Sequence, residues 1–245
     1  MIPIRDSEAT QSRPWVTYGL IALNLWIFLY EILLGPELEA FVRTWGFIPA
    51  RYFLMAELYP EAWLPRYVPL VTCMFLHGGW AHVLGNMLYL RIFGDNVEDR
   101  LGHLRYLGFY LATGVIAALA QAHLYPDSTV PTVGASGAIS GVLGAFLVMF
   151  PHARVMTVVP LLIFFPLIEI PAVVYLGFWF LMQVLNGTMA LAVMGDSGGV
   201  AWWAHVGGFV AGVALHRLFL LPRRLAPRPF EADEYGIEGA WYPRY

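Results

Sequence analysis

The sequence predicts an all-α membrane protein, a bundle of six transmembrane helices with an interfacial first outer loop. The 245-residue chain is 59% hydrophobic and only 13% charged, and its mean hydropathy is +0.62. Soluble domains are about a quarter charged. A helix that crosses the hydrocarbon core needs about 20 apolar residues. Six apolar runs approach or reach this length, at residues 16–34, 80–94, 105–123, 135–150, 169–187 and 202–221.

The segments around these runs predict the domain organisation. Residues 1–14 carry charged side chains and predict a cytoplasmic N-terminal segment, and residues 15–221 form the six-span domain. Within it, residues 35–79 combine five prolines with many aromatic side chains, which favours a lobe in the membrane interface. Residues 155–166 are apolar but too short to cross, so we expect an interfacial connector, with a partial span as the alternative. Residues 222–245 are polar and proline-rich and predict a poorly ordered cytoplasmic tail.

The arginines predict the orientation, because positive residues concentrate on the cytoplasmic side of membrane proteins. With the N-terminus in the cytoplasm, eleven of the fourteen arginines fall on or near that side, and only Arg43, Arg51 and Arg66 fall outside. We therefore expect a multi-pass protein of the cell (inner or plasma) membrane, with both termini cytoplasmic. The second, fourth and sixth spans then all begin at the outer face.

Composition also limits the partners. The net charge of −3 supplies no basic face, which argues against binding to nucleic acid. The single cysteine, Cys73, excludes an internal disulfide and a cysteine-rich metal site. The lipid bilayer is the partner that the composition itself indicates.

Two polar residues open the fourth and sixth spans at similar depth. Ser136 follows Gly134 and Ala135, and His205 follows Ala204. At a rise of 1.5 Å per residue, ~21 Å separate Ser136 from the end of its span and ~24 Å separate His205 from the end of its own. Because the hydrocarbon core is ~30 Å thick, Ser136 should lie up to ~10 Å below the outer surface. A nucleophile and a base at matching depth suggest a hydrolase that works inside a bilayer.

Each residue has a plainer interpretation. Serine favours the N-cap of a helix, and a histidine inside a membrane can be a packing residue or a proton relay. The common depth favours a Ser–His pair over these alternatives. Small residues four apart let membrane helices pack closely, which would bring the pair together, although ordinary helix packing gives the same spacing. These residues are Gly137 and Gly141 in the fourth span and Gly208 and Gly212 in the sixth.

The second span opens with His82 and Asn86, which are four apart and so share a helix face. Both can donate hydrogen bonds and could complete an oxyanion hole with backbone N–H groups at a helix N-terminus. A zinc site needs more ligands, and the chain has no HExxH motif, so we expect no metal. His77 either belongs to the same site or has a structural role. No carboxylate has the depth for a triad, and Glu169 is expected to complement the dipole of the fifth span.

Together these motifs resemble those of the rhomboid intramembrane serine proteases. The motifs are Gly134-Ala135-Ser136-Gly137, His82 with Asn86, and Ala204-His205 with Gly208 and Gly212. Further similar segments extend the resemblance across nearly the whole chain, at residues 1–6, 75–80, 93–99 and 170–172.

The resemblance implies a six-helix core in which Ser136 is the nucleophile and His205 the general base. It implies an oxyanion hole made by the Ser136 backbone N–H with His82 and Asn86. It further implies cleavage of transmembrane protein substrates near the outer face, without cofactor, metal or nucleotide. The fifth span and the glycine-rich loop 188–200 are the expected gate and lid.

The chain departs from some members at two places. Ser140 stands where some members carry a tyrosine against the catalytic histidine, and Tyr67-Val68-Pro69 stands where some carry a Trp-Arg pair. Two other classes remain open: a non-proteolytic rhomboid relative that binds or escorts membrane helices, and a small transporter. A transporter would need polar groups through both leaflets, and the inner halves of the fourth and sixth spans are almost wholly apolar.

Overall fold

The computed structural model describes residues 1–160, 164–192 and 199–221, and these ranges are mostly helical. The predicted tail 222–245 and part of the predicted lid, 193–198, lie outside the described residues. The α-helices are α1 (Trp15–Leu33), α2 (Leu38–Trp45), α3 (Pro49–Leu58), α4 (Trp63–Thr72), α5 (Trp80–Leu101), α6 (His103–Leu124), α7 (Ser136–Met149), α8 (Ala172–Ala192) and α9 (Trp202–Phe219). Three strands accompany them: β1 (Ile2–Asp6), β2 (Arg154–Val158) and β3 (Leu167–Pro171).

Each of the six predicted apolar runs falls mainly on one helix, although the bounds differ and the fifth run begins in strand β3. Among the described helices, α1, α6 and α8 are long and apolar enough to cross a membrane. Helix α4 with the turn after it, together with α5, forms a pair of segments bent by 82°. If this pair counts as one span, the number of candidate spans is four. The helix α7 is apolar but has 14 residues. The prediction of a mostly helical membrane protein is confirmed, and the count of six spans stays a prediction.

The predicted interfacial lobe, residues 35–79, consists of short helices and turns. Proline begins α3 at Pro49, where its missing N–H costs nothing. The Arg51 guanidinium donates hydrogen bonds to the carbonyls of Arg43, Thr44 and Gly46, and so satisfies the free carbonyls at the end of α2. These local contacts give the lobe its own order, although it lacks a long apolar helix.

The prediction of an all-α chain is wrong in one respect. Strands β1, β2 and β3 form an antiparallel sheet with β2 at its centre, so the N-terminal segment is tied to the apolar connector after α7. Within the predicted connector 155–166, residues 155–158 are therefore strand, and residues 161–163 lie outside the described residues. Glu169 pairs with Met156 in this sheet and does not begin a helix. The interpretation of Glu169 as a helix-dipole partner is thus also wrong.

The start of α1 is held by acidic side chains of α5. Glu98 is fully buried and accepts hydrogen bonds from the backbone N–H groups of Val16 and Thr17 and from the Thr17 hydroxyl, at 2.7–2.9 Å. Since Pro14, the N-cap of α1, offers no side-chain cap, Glu98 supplies the negative charge that a helix N-terminus favours. The contact lies in the part of α5 that continues to Leu101, beyond the end of its apolar run.

Helix α7 is the buried centre of the bundle and contacts α5, α6, α8 and α9. Its closest neighbour is α9, through the glycines that the sequence identified. A Cβ atom on Gly208 would lie 2.1 Å from the Gly137 carbonyl oxygen, and one on Gly212 would lie 2.0 Å from the Gly141 oxygen. The two backbones are therefore in direct contact, at a separation that a larger residue does not allow.

We expect Gly212→Ala to destabilise the protein, because the added methyl group meets rigid backbone. Overpacking of this kind costs about 1–3 kcal/mol, so the thermal midpoint in detergent should fall. Gly177→Ala in α8 is the control, since no atom lies within 4 Å of a Cβ there. Equal midpoints for the two variants would contradict this description of the α7–α9 contact.

The second prediction concerns Asp6 at the end of β1, which accepts hydrogen bonds from the Asn96 side chain at 3.1 Å. Burial raises the pKa of Asp6 to about 7; the Glu8 N–H lowers this pKa, and the charges of Asp95 and Glu8 raise it. Because the folded-state pKa exceeds the unfolded value of about 3.9, the folded protein favours the protonated form of Asp6. The contribution of this carboxyl to the free energy of unfolding is therefore full below about pH 4 and is lost as the pH rises through about 7.

We therefore expect the thermal midpoint of the wild-type protein to decrease, relative to that of Asp6→Asn, when the pH is raised from 5 to 8. Asp127→Asn is the control, since it removes the same charge from an exposed side chain. A midpoint difference between wild type and Asp6→Asn that is the same at both pH values would contradict the assignment.

Candidate active site

Ser136 and His205 lie in hydrogen-bonding contact where α7 and α9 begin. The His205 Nε2 atom is 2.8 Å from the Ser136 Oγ atom. Ser136 is the first residue of α7, and the N-cap position belongs to Ala135, which makes no side-chain cap bond. The N-cap interpretation of Ser136 is therefore wrong, because its hydroxyl faces the histidine and not the helix backbone.

The second nitrogen of His205 also has a partner, which the sequence analysis did not find. The Nδ1 atom lies 2.8 Å from the Oε1 atom of Gln183 in α8. The rings of Trp179 and Trp202 pack against the imidazole, at centroid distances of 5.9 and 6.2 Å. These residues surround the imidazole of His205, and Ser140 is not among them. The Ser140 hydroxyl instead donates to the Ser136 carbonyl at 2.6 Å.

Gly134 brings the start of α5 close to the serine. Its φ of +125° lies in a region that favours glycine. A Cβ atom there would lie 2.7 Å from His82 Nε2 and 3.6 Å from Ser136 Oγ, so both atoms border the same small space. The Nδ1 atom of His82 accepts a hydrogen bond from the Gly78 N–H at 3.3 Å. The proton of a neutral His82 is therefore on Nε2, the nitrogen that faces Gly134.

Asn86 lies one turn further along α5 and lines the same cavity as Ser136 and His205. Its Nδ2 atom is buried and has no hydrogen-bond acceptor among the described residues. A buried donor without a partner is costly, and because this one lines the cavity, it can donate to a group bound there. The first N–H groups of α7 likewise have no acceptor within their own helix.

These groups surround a cavity of about 760 Å³. Its walls come from the first halves of α5, α7 and α9, from the second half of α6, from residues 128–134 and from residues 199–202. Trp179 of α8 also lines it. Residues 199 and 200, which belong to the predicted lid, are among the lining residues, and the lid itself stays a prediction.

His77 lies beside the site. Its backbone N–H donates to the carboxylate of Glu31 in α1 at 3.1 Å, and its ring packs edge-on against His82 at 5.1 Å. The structural interpretation of His77 fits these contacts, since it supports the ring of His82. Glu31 was not identified from the sequence, although a single buried acid inside an apolar run was a usable signal. Within the described ranges, no group of three or more potential ligands is arranged to hold a metal ion.

Comparison with known proteins assigns the family. The Rhomboid domain profile matches residues 64–222, which is more than half of the chain. The chain therefore belongs to the rhomboid family, and the family identification made from the sequence is confirmed. The presence of membrane-crossing helices and this family together define a multi-pass membrane protein.

Several curated relatives are similar over much of the chain. The rhomboid protease GluP of Bacillus subtilis is 33% identical over 215 residues, which cover 86% of this chain and 37% of GluP. The mitochondrial Rhomboid protein 1 of Saccharomyces cerevisiae is 29% identical over 206 residues, covering 81% of this chain and 51% of that protein. RHOMBOID-like protein 5 of Arabidopsis thaliana is 33% identical over 117 residues, covering 48% of this chain and 35% of that protein. The chain thus spans about a third to a half of the length of these relatives.

Proposed function

We propose that this protein is an intramembrane serine endopeptidase that cleaves transmembrane helices of other membrane proteins. The observation that carries the proposal is the 2.8 Å contact between His205 Nε2 and Ser136 Oγ at the edge of a cavity. Serine is a weak nucleophile unless an adjacent base takes its proton. The protease name of the relative GluP agrees with this chemistry.

The reaction follows from the two side chains. His205 accepts the hydroxyl proton as Ser136 Oγ attacks the carbonyl carbon of the scissile peptide bond. The resulting tetrahedral oxyanion collapses, the C–N bond breaks, and His205 gives its proton to the leaving amine. Water then attacks the acyl-enzyme ester with His205 again as base, which releases the new carboxylate and restores Ser136.

The oxyanion hole is the second part of the proposal. The Asn86 Nδ2 atom, the His82 Nε2–H group and the Ser136 backbone N–H are donors around the same space. In an apolar, water-poor site such donors stabilise developing negative charge strongly, because they are already oriented before the reaction. The positive end of the α7 dipole acts in the same direction.

The membrane arrangement is also proposed. Helices α1, α5, α6, α7, α8 and α9 form six spans, with both termini in the cytoplasm of a cell membrane. Because α7 is only 14 residues long, about 21 Å of helix, its serine lies below the outer surface but within reach of water. Cleavage then falls near the outer end of a substrate helix, which must unwind locally to expose a peptide bond.

Replacing the nucleophile or the base tests the proposal. We expect Ser136→Ala and His205→Ala each to lower the cleavage rate by at least about 10³-fold, at thermal midpoints close to that of wild type. The assay uses liposomes that contain the protein and a single-span substrate with glycines near the outer end of its helix. Cleavage that persists in Ser136→Ala would contradict the mechanism. A folded wild type that binds such helices without cleaving them would favour the helix-binding alternative.

The oxyanion hole has its own test. Asn86→Ala should reduce kcat by about 10²- to 10³-fold with little change in KM, because the lost hydrogen bond forms with the intermediate. Asn24→Ala is the control: this buried amide in α1 donates to the Leu20 carbonyl and lies away from the site. Equal effects of the two substitutions on kcat would show that Asn86 has only a structural role.

A further inference from the structure

We propose that Gln183 is a positioning residue, which fixes His205 in the one neutral form that can act as a base toward Ser136. This inference rests on the proposed function, and it assigns a role to a third side chain from a helix outside the Ser–His pair. Gln183 is buried in α8, more than twenty residues before His205 in the chain, and it contacts the imidazole on the side opposite the serine.

The orientation of the Gln183 amide is determined by its second hydrogen bond. The Nε2 atom donates to the backbone carbonyl of Trp179, one turn earlier in α8, at 2.9 Å. A carbonyl oxygen can only accept, so the NH₂ group must face Trp179. The Oε1 atom therefore faces His205 Nδ1, at 2.8 Å.

This orientation decides the tautomer of His205. An amide oxygen has no proton to donate, so Nδ1 must carry the hydrogen of the contact. In the neutral ring, Nε2 is then unprotonated, and its lone pair points at the Ser136 hydroxyl 2.8 Å away. The opposite tautomer would present an N–H to the serine, which could not then give up its proton to that nitrogen.

Gln183 is an uncharged hydrogen-bond partner for His205, which fits the buried position of the pair. His205 and Gln183 are both buried among apolar helices, where an ionised carboxylate would be costly. An amide provides the acceptor without a charge, and its other end is satisfied within its own helix. Trp179, the residue that anchors the amide through its backbone, also packs its ring against His205. One turn of α8 therefore sets both the tautomer and the ring position of the base.

The test measures serine reactivity without a substrate helix. A small fluorophosphonate reagent labels an activated serine, and its second-order rate constant is compared among wild type and three variants. Gln183→Leu keeps the size of the side chain but removes the acceptor, whereas Gln183→Glu in its neutral, protonated form keeps one oxygen as acceptor and lets the other donate to the Trp179 carbonyl. Asn186→Leu is the matched control, because Asn186 also donates its amide to a carbonyl one turn earlier in α8, that of Met182, at 2.7 Å.

We expect Gln183→Leu to lower the labelling rate by about 10- to 100-fold, the range found when a metal-binding histidine loses the hydrogen-bond partner that orients it. The same variant should lower kcat for a helix substrate and leave KM nearly unchanged. Gln183→Glu should recover most of the labelling rate, and Asn186→Leu should label like wild type. Similar rates for Gln183→Leu and wild type, or equal losses in Gln183→Leu and Asn186→Leu, would overturn the proposal.

The tautomer of His205 can also be measured by spectroscopy in the wild-type protein, so this second test does not require a Gln183 variant that folds. Nitrogen-15 NMR of the histidine rings in the wild-type protein distinguishes the two neutral tautomers, and His205→Ala assigns the signal. We expect Nδ1 protonated and Nε2 unprotonated at mildly alkaline pH; the reverse would overturn the role of Gln183. Labelling of Ser136 in wild type tests the proposed function separately, so failure of that function and failure of this inference give different results.

Discussion

The backbone contact between α7 and α9 is the constraint on which the rest of the structure depends. Gly208 and Gly212 face the carbonyl oxygens of Gly137 and Gly141 at distances that no side chain would permit. Small residues allow membrane helices to approach in this way, and dispersion contacts along the shared face then hold them together. Ser136 and His205 stand one residue before Gly137 and three before Gly208. The spacing of the two helices therefore sets the distance between their side chains directly.

Around this contact, the polar groups of the site are arranged to satisfy one another in apolar surroundings. His205 meets Ser136 on one side and Gln183 on the other, and tryptophan rings pack against it. His82 is held by the Gly78 N–H and by the ring of His77. Among the described residues, the His77 ring nitrogens and the Asn86 Nδ2 atom are buried without a hydrogen-bond partner, and of these Asn86 lines the cavity. An oxyanion that forms beside Ser136 would supply the missing acceptor.

Much of the site could be predicted because its signals are local. The Ser136 and His205 motifs each lie within a few residues, and the helix rise alone places them at similar depth. The sheet could not be predicted in this way, because β1 and β2 are about 150 residues apart in the chain and each is only five residues long. Gln183 was missed because the apolar pattern of α8 does not say which of its faces meets α9. The end of α5 was missed since Glu98 is buried together with its hydrogen bonds to α1 and its contact with His103 of α6, which hydropathy does not record.

The most direct test of the account is an experimental structure of the protein after reaction with a phosphonate inhibitor, which mimics the tetrahedral intermediate. We expect a covalent bond from Ser136 Oγ to phosphorus. We also expect a phosphoryl oxygen within hydrogen-bonding distance of Asn86 Nδ2, the Ser136 backbone N–H and His82 Nε2. An adduct on a different residue would contradict the account, as would a phosphoryl oxygen turned away from Asn86 and His82.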